Sequence, residues 1–121
     1  MFKKSLIFLS LIAAAASAKP VLTVYTYGGF NTEWGAGPGL KAEFEKVCDC
    51  EVKYAALDHG VMILNRLRME GEQNSADVVL GIDNTLMQAA LDTGLLAPSG
   101  VDTGKLKLPV AWDNKVFVPY D

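Results

Sequence analysis

Cysteine and histidine are scarce in this sequence, which contains only Cys48, Cys50 and His59. A zinc site needs more ligands than these residues supply, and a catalytic nucleophile needs a base and an orienting group at matched spacing. The sequence also lacks the spacing G-x-G-x-x-G between a strand and a helix that marks a dinucleotide-binding fold. We therefore expect a protein that is not an enzyme, with no catalytic residues, no metal site and no cofactor.

The sequence also has no excess of basic residues. The chain has 11 lysine and arginine residues against 14 acidic residues, which gives a formal net charge of −3. A mildly acidic protein is a poor candidate for binding nucleic acid or an anionic membrane, whereas it is compatible with a cationic small ligand.

The first 18 residues have the pattern of a signal peptide. Lys3 and Lys4 form a basic region, an apolar stretch runs from Leu6 to Ala16, and Ala16-Ser17-Ala18 supplies the small residues of a cleavage point. The apolar stretch is short for a bilayer span, no stop-transfer pattern follows it, and no lipobox-type cysteine indicates a lipid anchor. We expect an exported protein whose mature part begins at Lys19 and carries a net charge of about −5.

The mature part alternates between strand and helix patterns. Strands are predicted at Val21 to Tyr27, Glu51 to Leu57 and Ala76 to Ile82, and helices at Pro38 to Val47, Val61 to Glu70 and Asn84 to Leu91. This alternation is typical of an α/β fold with a mostly parallel sheet and helices on both faces. The third strand is almost purely apolar, so we expect it at the centre of the sheet.

Ligands of such folds bind outside the carboxyl ends of the strands. The candidate contacts are therefore the three strand exits: Tyr27 to Trp34, Asp58 to Gly60, and Gly81 to Asn84. We expect Tyr25 and Phe30 in the core, whereas Tyr27 lies nearer the carboxyl end and is suited to stacking or cation–π attraction. For Trp34, ligand contact and packing over the first helix stay equally open.

The second and third exits hold residues with two possible roles. Unpaired N–H groups at the start of a helix, beside a glycine that lets a ligand approach, form an anion site, and we interpret His59 and Gly60 as binding residues for this reason. Asp58 is the alternative there, as a helix cap. Asp83 either caps the next helix or accepts a hydrogen bond from an amino group of the ligand.

The two cysteines stand one residue apart in "VCDCE", Val47 to Glu51. In an exported protein this spacing favours a small structural disulfide between Cys48 and Cys50, with a bend at Asp49. A redox or metal role is the alternative, although a thioredoxin-like motif has two intervening residues.

Four stretches together carry a resemblance to a known family: "KPVLTVYTY", "ILNRLRMEG", "ADVVLGIDN" and "TGLLAPSGV". They resemble the amino-terminal part of the periplasmic thiamine-binding proteins of bacterial ABC importers. The resemblance implies a two-lobed type II periplasmic binding protein that closes like a hinge on thiamine, thiamine monophosphate or thiamine diphosphate and delivers it to a membrane permease.

The resemblance also implies particular ligand contacts. The phosphate contacts of the family fall at His59 and Gly60, and its early tyrosine matches Tyr27. The family usually has an acidic residue where His59 stands, and "YGGF" replaces a more polar "YDSF"-like turn, so these two places depart from the family pattern.

Family members continue for roughly twice this length again. Trp112 to Asp121 reads as a loop followed by a short apolar stretch, so we expect a truncated product in which residues 19–121 form most of the amino-terminal lobe and the second lobe is absent. The resemblance then implies that the isolated chain binds thiamine very weakly or not at all. It also implies marginal stability, because later segments of the family complete the sheet.

Three alternatives stay open from the sequence. The same fold serves receptors for ferric ion or polyamines, although iron needs a cluster of tyrosinates, a histidine and carboxylates. A periplasmic thiol–disulfide protein using Cys48 and Cys50 is the second alternative, and a free-standing interaction domain is the third.

Overall fold

The computed structural model describes residues 18–120 and contains a parallel sheet with helices on both faces. The strands are β1 (Val21–Tyr27), β2 (Glu51–Leu57) and β3 (Val78–Val79), and the helices are α1 (Ala36–Cys48), α2 (Gly60–Glu70) and α3 (Met87–Leu91). Single turns of 3₁₀ helix lie at Gly28–Asn31, Gly71–Gln73 and Thr103–Lys105. The predicted α/β class is confirmed.

The predicted signal peptide lies outside the described residues except for Ala18. Within residues 18–120 no helix is long and apolar enough to cross a membrane.

The central strand of the sheet is β1, since the strand order is β2-β1-β3. Strand β2 pairs with β1 along its full length, from Val21 opposite Glu51 to Tyr27 opposite Leu57. Strand β3 pairs with β1 at two positions only. The prediction that the third strand is central and runs from Ala76 to Ile82 was therefore wrong.

Backbone geometry explains why β3 is short. The N–H of Asp77 donates to Thr23 O and the N–H of Leu80 donates to Tyr25 O, and these bonds bracket the two paired residues. Gly81 follows with φ of 106° and turns the chain away from β1. Val79 is half-buried against the Tyr25 core, whereas Val78 is 42% exposed because no described strand lies beyond this edge.

Alternate residues of the strands face different helices. Tyr25 packs with Ile63 and Leu67 of α2, and all three side chains are at most 2% exposed. On the opposite face Val24, Val52 and Phe30 are buried on the side of α1. The expected core positions of Tyr25 and Phe30 are confirmed.

A polar cluster ties the buried Tyr25 to the end of α2. The Tyr25 hydroxyl donates to Glu70 Oε2 at 2.6 Å, and the Arg66 guanidinium lies 4.2 Å from the Tyr25 ring centroid while its Nε donates to Glu70 Oε1 at 2.7 Å. The bonds from Tyr25 and then Arg66 lower the pKa of Glu70, and the bond to Glu70 raises the pKa of Arg66. Helix α2 ends directly after this cluster at Gly71, whose φ is 55°.

Cys48 and Cys50 form a disulfide, as predicted, with Cα atoms 5.2 Å apart. Asp49 between them adopts the left-handed conformation, with φ of 49°, and supplies the expected bend. The bridge joins the end of α1 to the start of β2, so it lies at the amino end of the sheet. Seven residues of strand, about 20 Å of chain, separate it from the strand exits.

Candidate functional site

A cavity of about 310 Å³ opens at the carboxyl ends of the strands. Its walls come from all three strand exits and from the end of the described chain: Tyr27, Asp58, His59, Gly60, Gly81, Ile82, Asp83 and Tyr120. The fold thus brings together four of the five residues that the sequence predicts as ligand contacts, namely Tyr27, His59, Gly60 and Asp83. This is the edge at which a parallel α/β sheet places ligands.

Trp34 is the predicted contact that the fold does not bring to this cavity. It lies in the turn before α1 and is 85% exposed. An exposure this high also leaves little of the indole to pack over the first helix, which was the alternative interpretation. Its role in ligand contact stays a prediction.

The three strand exits meet through two glycines. A Cβ atom at Gly81 would overlap the Tyr27 ring, and a Cβ atom at Gly60 would overlap the carbonyl oxygen of Gly81. The absence of side chains at both positions lets the exits of β1, β2 and β3 stack directly on one another. The sequence predicts that Gly60 admits a ligand, and in the structure this glycine admits the backbone of the neighbouring exit.

Helix α2 begins at the cavity without a side-chain cap. His59 is the residue before the helix, its backbone is extended, and its carbonyl accepts from the N–H groups of Met62 and Ile63 at 3.0 and 3.3 Å. Among residues 18–120 no side chain bonds the first N–H groups of α2, so Asp58 does not take the capping role that the sequence left open. The first N–H groups of a helix have no partner within the helix and attract negative charge.

Asp83 closes the turn that leads into α3. Its Oδ1 accepts from the backbone N–H of Thr85 at 2.9 Å, the Thr85 hydroxyl at 2.6 Å and the N–H of Leu86 at 3.2 Å. The bond from the Thr85 hydroxyl is the main reason why the pKa of Asp83 lies below its ordinary value. Asp83 therefore caps the turn of residues 84–86 and not α3 itself, whose N-cap position Leu86 has no side-chain cap bond. The carboxylate is charged at neutral pH in the wall of the cavity.

Tyr120 is a cavity residue that the sequence analysis missed. Its hydroxyl donates to the Tyr27 hydroxyl at 3.0 Å, across 93 positions of the chain. Residues 106–120 contain no helix or strand, so no periodic pattern indicated where Tyr120 would lie. The available signal was an aromatic residue with a polar tip two positions after the apolar run Val116 to Val118.

A second cavity of about 490 Å³ adjoins the first and shares Gly81, Ile82, Asp83 and Tyr120 with it. Trp112 and Phe117 line its far side, and the Trp112 Nε1–H donates to Phe117 O at 3.0 Å. No group of three or more histidine, cysteine or acidic residues among residues 18–120 is arranged to hold a metal ion.

Comparison with known proteins gives consistent results. The chain is 56% identical over 121 residues to the thiamine-binding periplasmic protein of Salmonella typhimurium and 54% identical over 121 residues to that of Escherichia coli. These matches cover 100% of this chain and 37% of each relative. A solved structure described as a periplasmic thiamin binding protein superposes with a TM-score of 0.79 at 56% identity, covering 84% of this chain and 32% of the other. No family model matches the chain.

This chain is homologous to the N-terminal part of thiamine-binding periplasmic proteins. It spans about a third of the length of these relatives, and its parallel three-stranded sheet with helices corresponds to one lobe. The resemblance found in the sequence is confirmed, and the ferric ion, polyamine and thiol–disulfide alternatives are not favoured.

Proposed function

We propose that this chain forms one wall of the ligand cleft of a periplasmic receptor. The receptor binds thiamine, thiamine monophosphate or thiamine diphosphate and delivers it to the membrane permease of an ABC importer, without catalysing a reaction. The observation that best supports this proposal is 56% identity along the whole chain to a thiamine-binding periplasmic protein. The cavity at the strand exits is the place where such a ligand fits.

The chemistry of thiamine suggests how it lies in the cavity. Thiamine carries a cationic thiazolium ring, an aminopyrimidine and a hydroxyethyl arm to which the phosphates of its esters are attached. The Tyr27 ring offers a flat face to the cation, and the charged Asp83 offers a counter-charge. The start of α2, with Gly60 and the extended backbone of His59, offers N–H groups to the oxygens of the arm.

Export through a cleaved signal peptide is part of the same proposal. It is supported by the basic, apolar and small-residue pattern of the first 18 residues and by relatives that are named periplasmic. Intact mass measurement of the protein from the periplasmic fraction tests it directly. We expect a product that begins at Lys19, and a product that retains Met1 would contradict the cleavage.

Ligand binding is best tested by nuclear magnetic resonance, because this method detects weak affinity. Thiamine and thiamine monophosphate are titrated into the ¹⁵N-labelled chain, with the Salmonella typhimurium relative as a positive control. We expect the amide signals of the strand exits to shift and those of Cys48 to Glu51, at the other end of the sheet, to stay in place. Shifts centred on Cys48 to Glu51 instead of the strand exits, or sub-micromolar affinity of this chain alone, would contradict the proposal that the chain forms one wall of the cleft.

The role of Asp83 can be separated from its capping role. Asp83→Asn keeps an oxygen that caps the turn and removes the charge. Because exposed ion pairs are weak, we expect the affinity for thiamine to fall about two- to fivefold. Asp113→Asn is the matched control, since Asp113 is exposed and does not line the cavity. Equal affinities of the two variants would exclude Asp83 as a counter-charge.

A further inference from the structure

Tyr120 and Tyr27 form the longest-range hydrogen bond at the cavity, and we infer from it a role that rests on the proposed function. Tyr120 is a positioning residue for ligand binding: it fixes the Tyr27 ring at the mouth of the cavity and turns the Tyr27 hydroxyl proton towards an acceptor oxygen of the ligand. The hydroxyl or phosphate oxygens on the arm of thiamine and its esters are the acceptors of the right chemistry.

The Tyr27 ring is held from several sides. Gly81 lies against its edge so closely that a Cβ atom there would overlap the ring. The Phe30 ring stands 5.9 Å away, centroid to centroid, at 59° to it. The Tyr120 hydroxyl, at 3.0 Å, adds a hydrogen bond at the tip of the ring. A ring restrained in this way loses little further freedom when a ligand binds.

The direction of the hydrogen bond decides which proton is left for a ligand. A phenol has one proton to donate, and Tyr120 donates its own to the Tyr27 oxygen. Within residues 18–120, the Tyr27 hydroxyl makes no other hydrogen bond, so its proton is available to the cavity. Accepting a bond from Tyr120 also polarises the Tyr27 O–H and makes it a better donor.

The segment that carries Tyr120 is anchored before it reaches the cavity. The Lys115 carbonyl accepts from the N–H of Ser99 at 2.9 Å, and Asn114 Oδ1 accepts from the N–H groups of Val116 and Phe117 at 2.8 and 2.9 Å. Tyr120 therefore approaches Tyr27 from a segment held by its own hydrogen bonds. The donors of α2 line the same cavity, so the oxygen-bearing end of the ligand is expected between Tyr27 and the start of that helix.

The positioning of the ring is tested without any ligand. The chain has four tyrosines, and selective labelling resolves their ring signals by nuclear magnetic resonance. In Tyr120→Phe we expect shifted ring signals of Tyr27, with Tyr25 in the core unchanged as evidence of an intact fold. Tyr54→Phe is the matched control, because it also removes a bonded tyrosine hydroxyl, one that donates to Gly37 O away from the cavity. Unchanged Tyr27 signals in Tyr120→Phe would overturn the inference.

A double-mutant cycle shows whether Tyr120 acts through Tyr27. Dissociation constants for thiamine monophosphate are measured for the unmodified chain, Tyr27→Phe, Tyr120→Phe and the double variant. Each single change is expected to weaken binding about fivefold, the effect of one neutral hydrogen bond, and the double variant to bind no more weakly than Tyr27→Phe. Additive losses, or no loss in Tyr120→Phe, would show that Tyr120 does not position Tyr27 for the ligand.

The titrations and the double-mutant cycle together distinguish a failure of this inference from a failure of the proposed function. If thiamine and its monophosphate bind and only the cycle fails, the receptor function stands and the role of Tyr120 falls. If neither ligand shifts any signal of the unmodified chain, the ligand-directed part of the inference fails, because this wall alone then does not bind the ligand. The ring measurement still decides in that case whether Tyr120 fixes Tyr27.

Discussion

Two tyrosines of β1 share a face of the sheet and differ in what their hydroxyls contact. The Tyr25 hydroxyl lies 2.6 Å from Glu70 Oε2 and 3.1 Å from Ser75 Oγ, in a partly buried cluster at the end of α2. Two residues further along the strand, the Tyr27 hydroxyl meets Tyr120 at the mouth of a cavity. The difference follows from position along the strand, because the carboxyl end of β1 is where the covering helix α2 begins and the cleft opens.

The lowered pKa of Glu70 makes stability depend on pH. A carboxyl whose pKa is lower when folded stabilises the protein above its ordinary pKa of 4.5, and this contribution disappears as the pH falls through that value towards the folded one. We expect Tyr25→Phe and Glu70→Gln to lose stability at neutral pH and to lose less on acidification than the unmodified chain. Urea denaturation from about pH 7 to about pH 3 measures this. If stability fell equally with pH in all three proteins, Glu70 would not be the cause. Asp83 also has a lowered pKa, but it is present in all three proteins and contributes equally to each.

The stacked glycines give a second prediction for single residues. Gly81→Ala places a methyl group against the Tyr27 ring at a positive φ, and Gly60→Ala places one against the Gly81 carbonyl, so each should destabilise the fold by about 1–3 kcal/mol. Gly39→Ala is the control: it lies in α1 with nothing within 4 Å of the added carbon, and it should stabilise by about 0.5–1 kcal/mol. Thermal and urea denaturation compare the three, and a neutral Gly60→Ala would show that the exits do not pack as described.

At the scale of elements, the sequence predicts best where the pattern is local. Strands β1 and β2 were predicted with their observed bounds, because β-branched runs end at clear turn residues. Helix α2 begins one residue earlier than predicted and ends at Gly71, where the glycine indicated the end. The length and place of β3 were not predictable, since an apolar run does not reveal how many neighbours a strand has. The place of Tyr120 in the cavity was not predictable either, because it results from a contact with Tyr27, 93 positions earlier, and a local sequence pattern does not reveal such a contact.

The disulfide turn belongs to the element scale as well. Because the ring closed by Cys48 and Cys50 is very small, chain entropy predicts a contribution of only about 1–2 kcal/mol. The variant Cys48→Ser/Cys50→Ser should therefore remain folded, with a modestly lower urea midpoint. Its thiamine-induced shifts should be unchanged, because the bridge lies at the opposite end of β2 from the cavity. If this variant no longer responded to thiamine, the result would support a functional role of the Cys48 and Cys50 thiols.

Across the whole described molecule, tertiary packing is unevenly distributed. The largest fully buried side chains lie on β1 and α2: Tyr25, Thr26, Ile63, Leu64 and Leu67. On the α1 face, Leu40 is 55% exposed and Phe44 is 46% exposed, so this side of the sheet is only half covered. Residues 96–120 contain a single helical turn, Thr103–Lys105, and few of them are held by backbone bonds to the sheet. The part built from β1, β2 and α2 is therefore well packed, whereas residues 96–120 are loosely packed.

Hydrogen exchange should reveal this division directly. Amides open locally at a cost set by the packing and bonding around them, so those of β1, β2 and α2 should exchange about 100-fold more slowly than those of residues 96–120. Mass spectrometry of peptic fragments after timed labelling measures the contrast. Tyr120→Phe should leave exchange in α2 unchanged and speed it only close to position 120, because residues 114–117 keep their own hydrogen bonds. Uniform protection along the chain would contradict this division, because residues 96–120 would then be packed as firmly as the sheet.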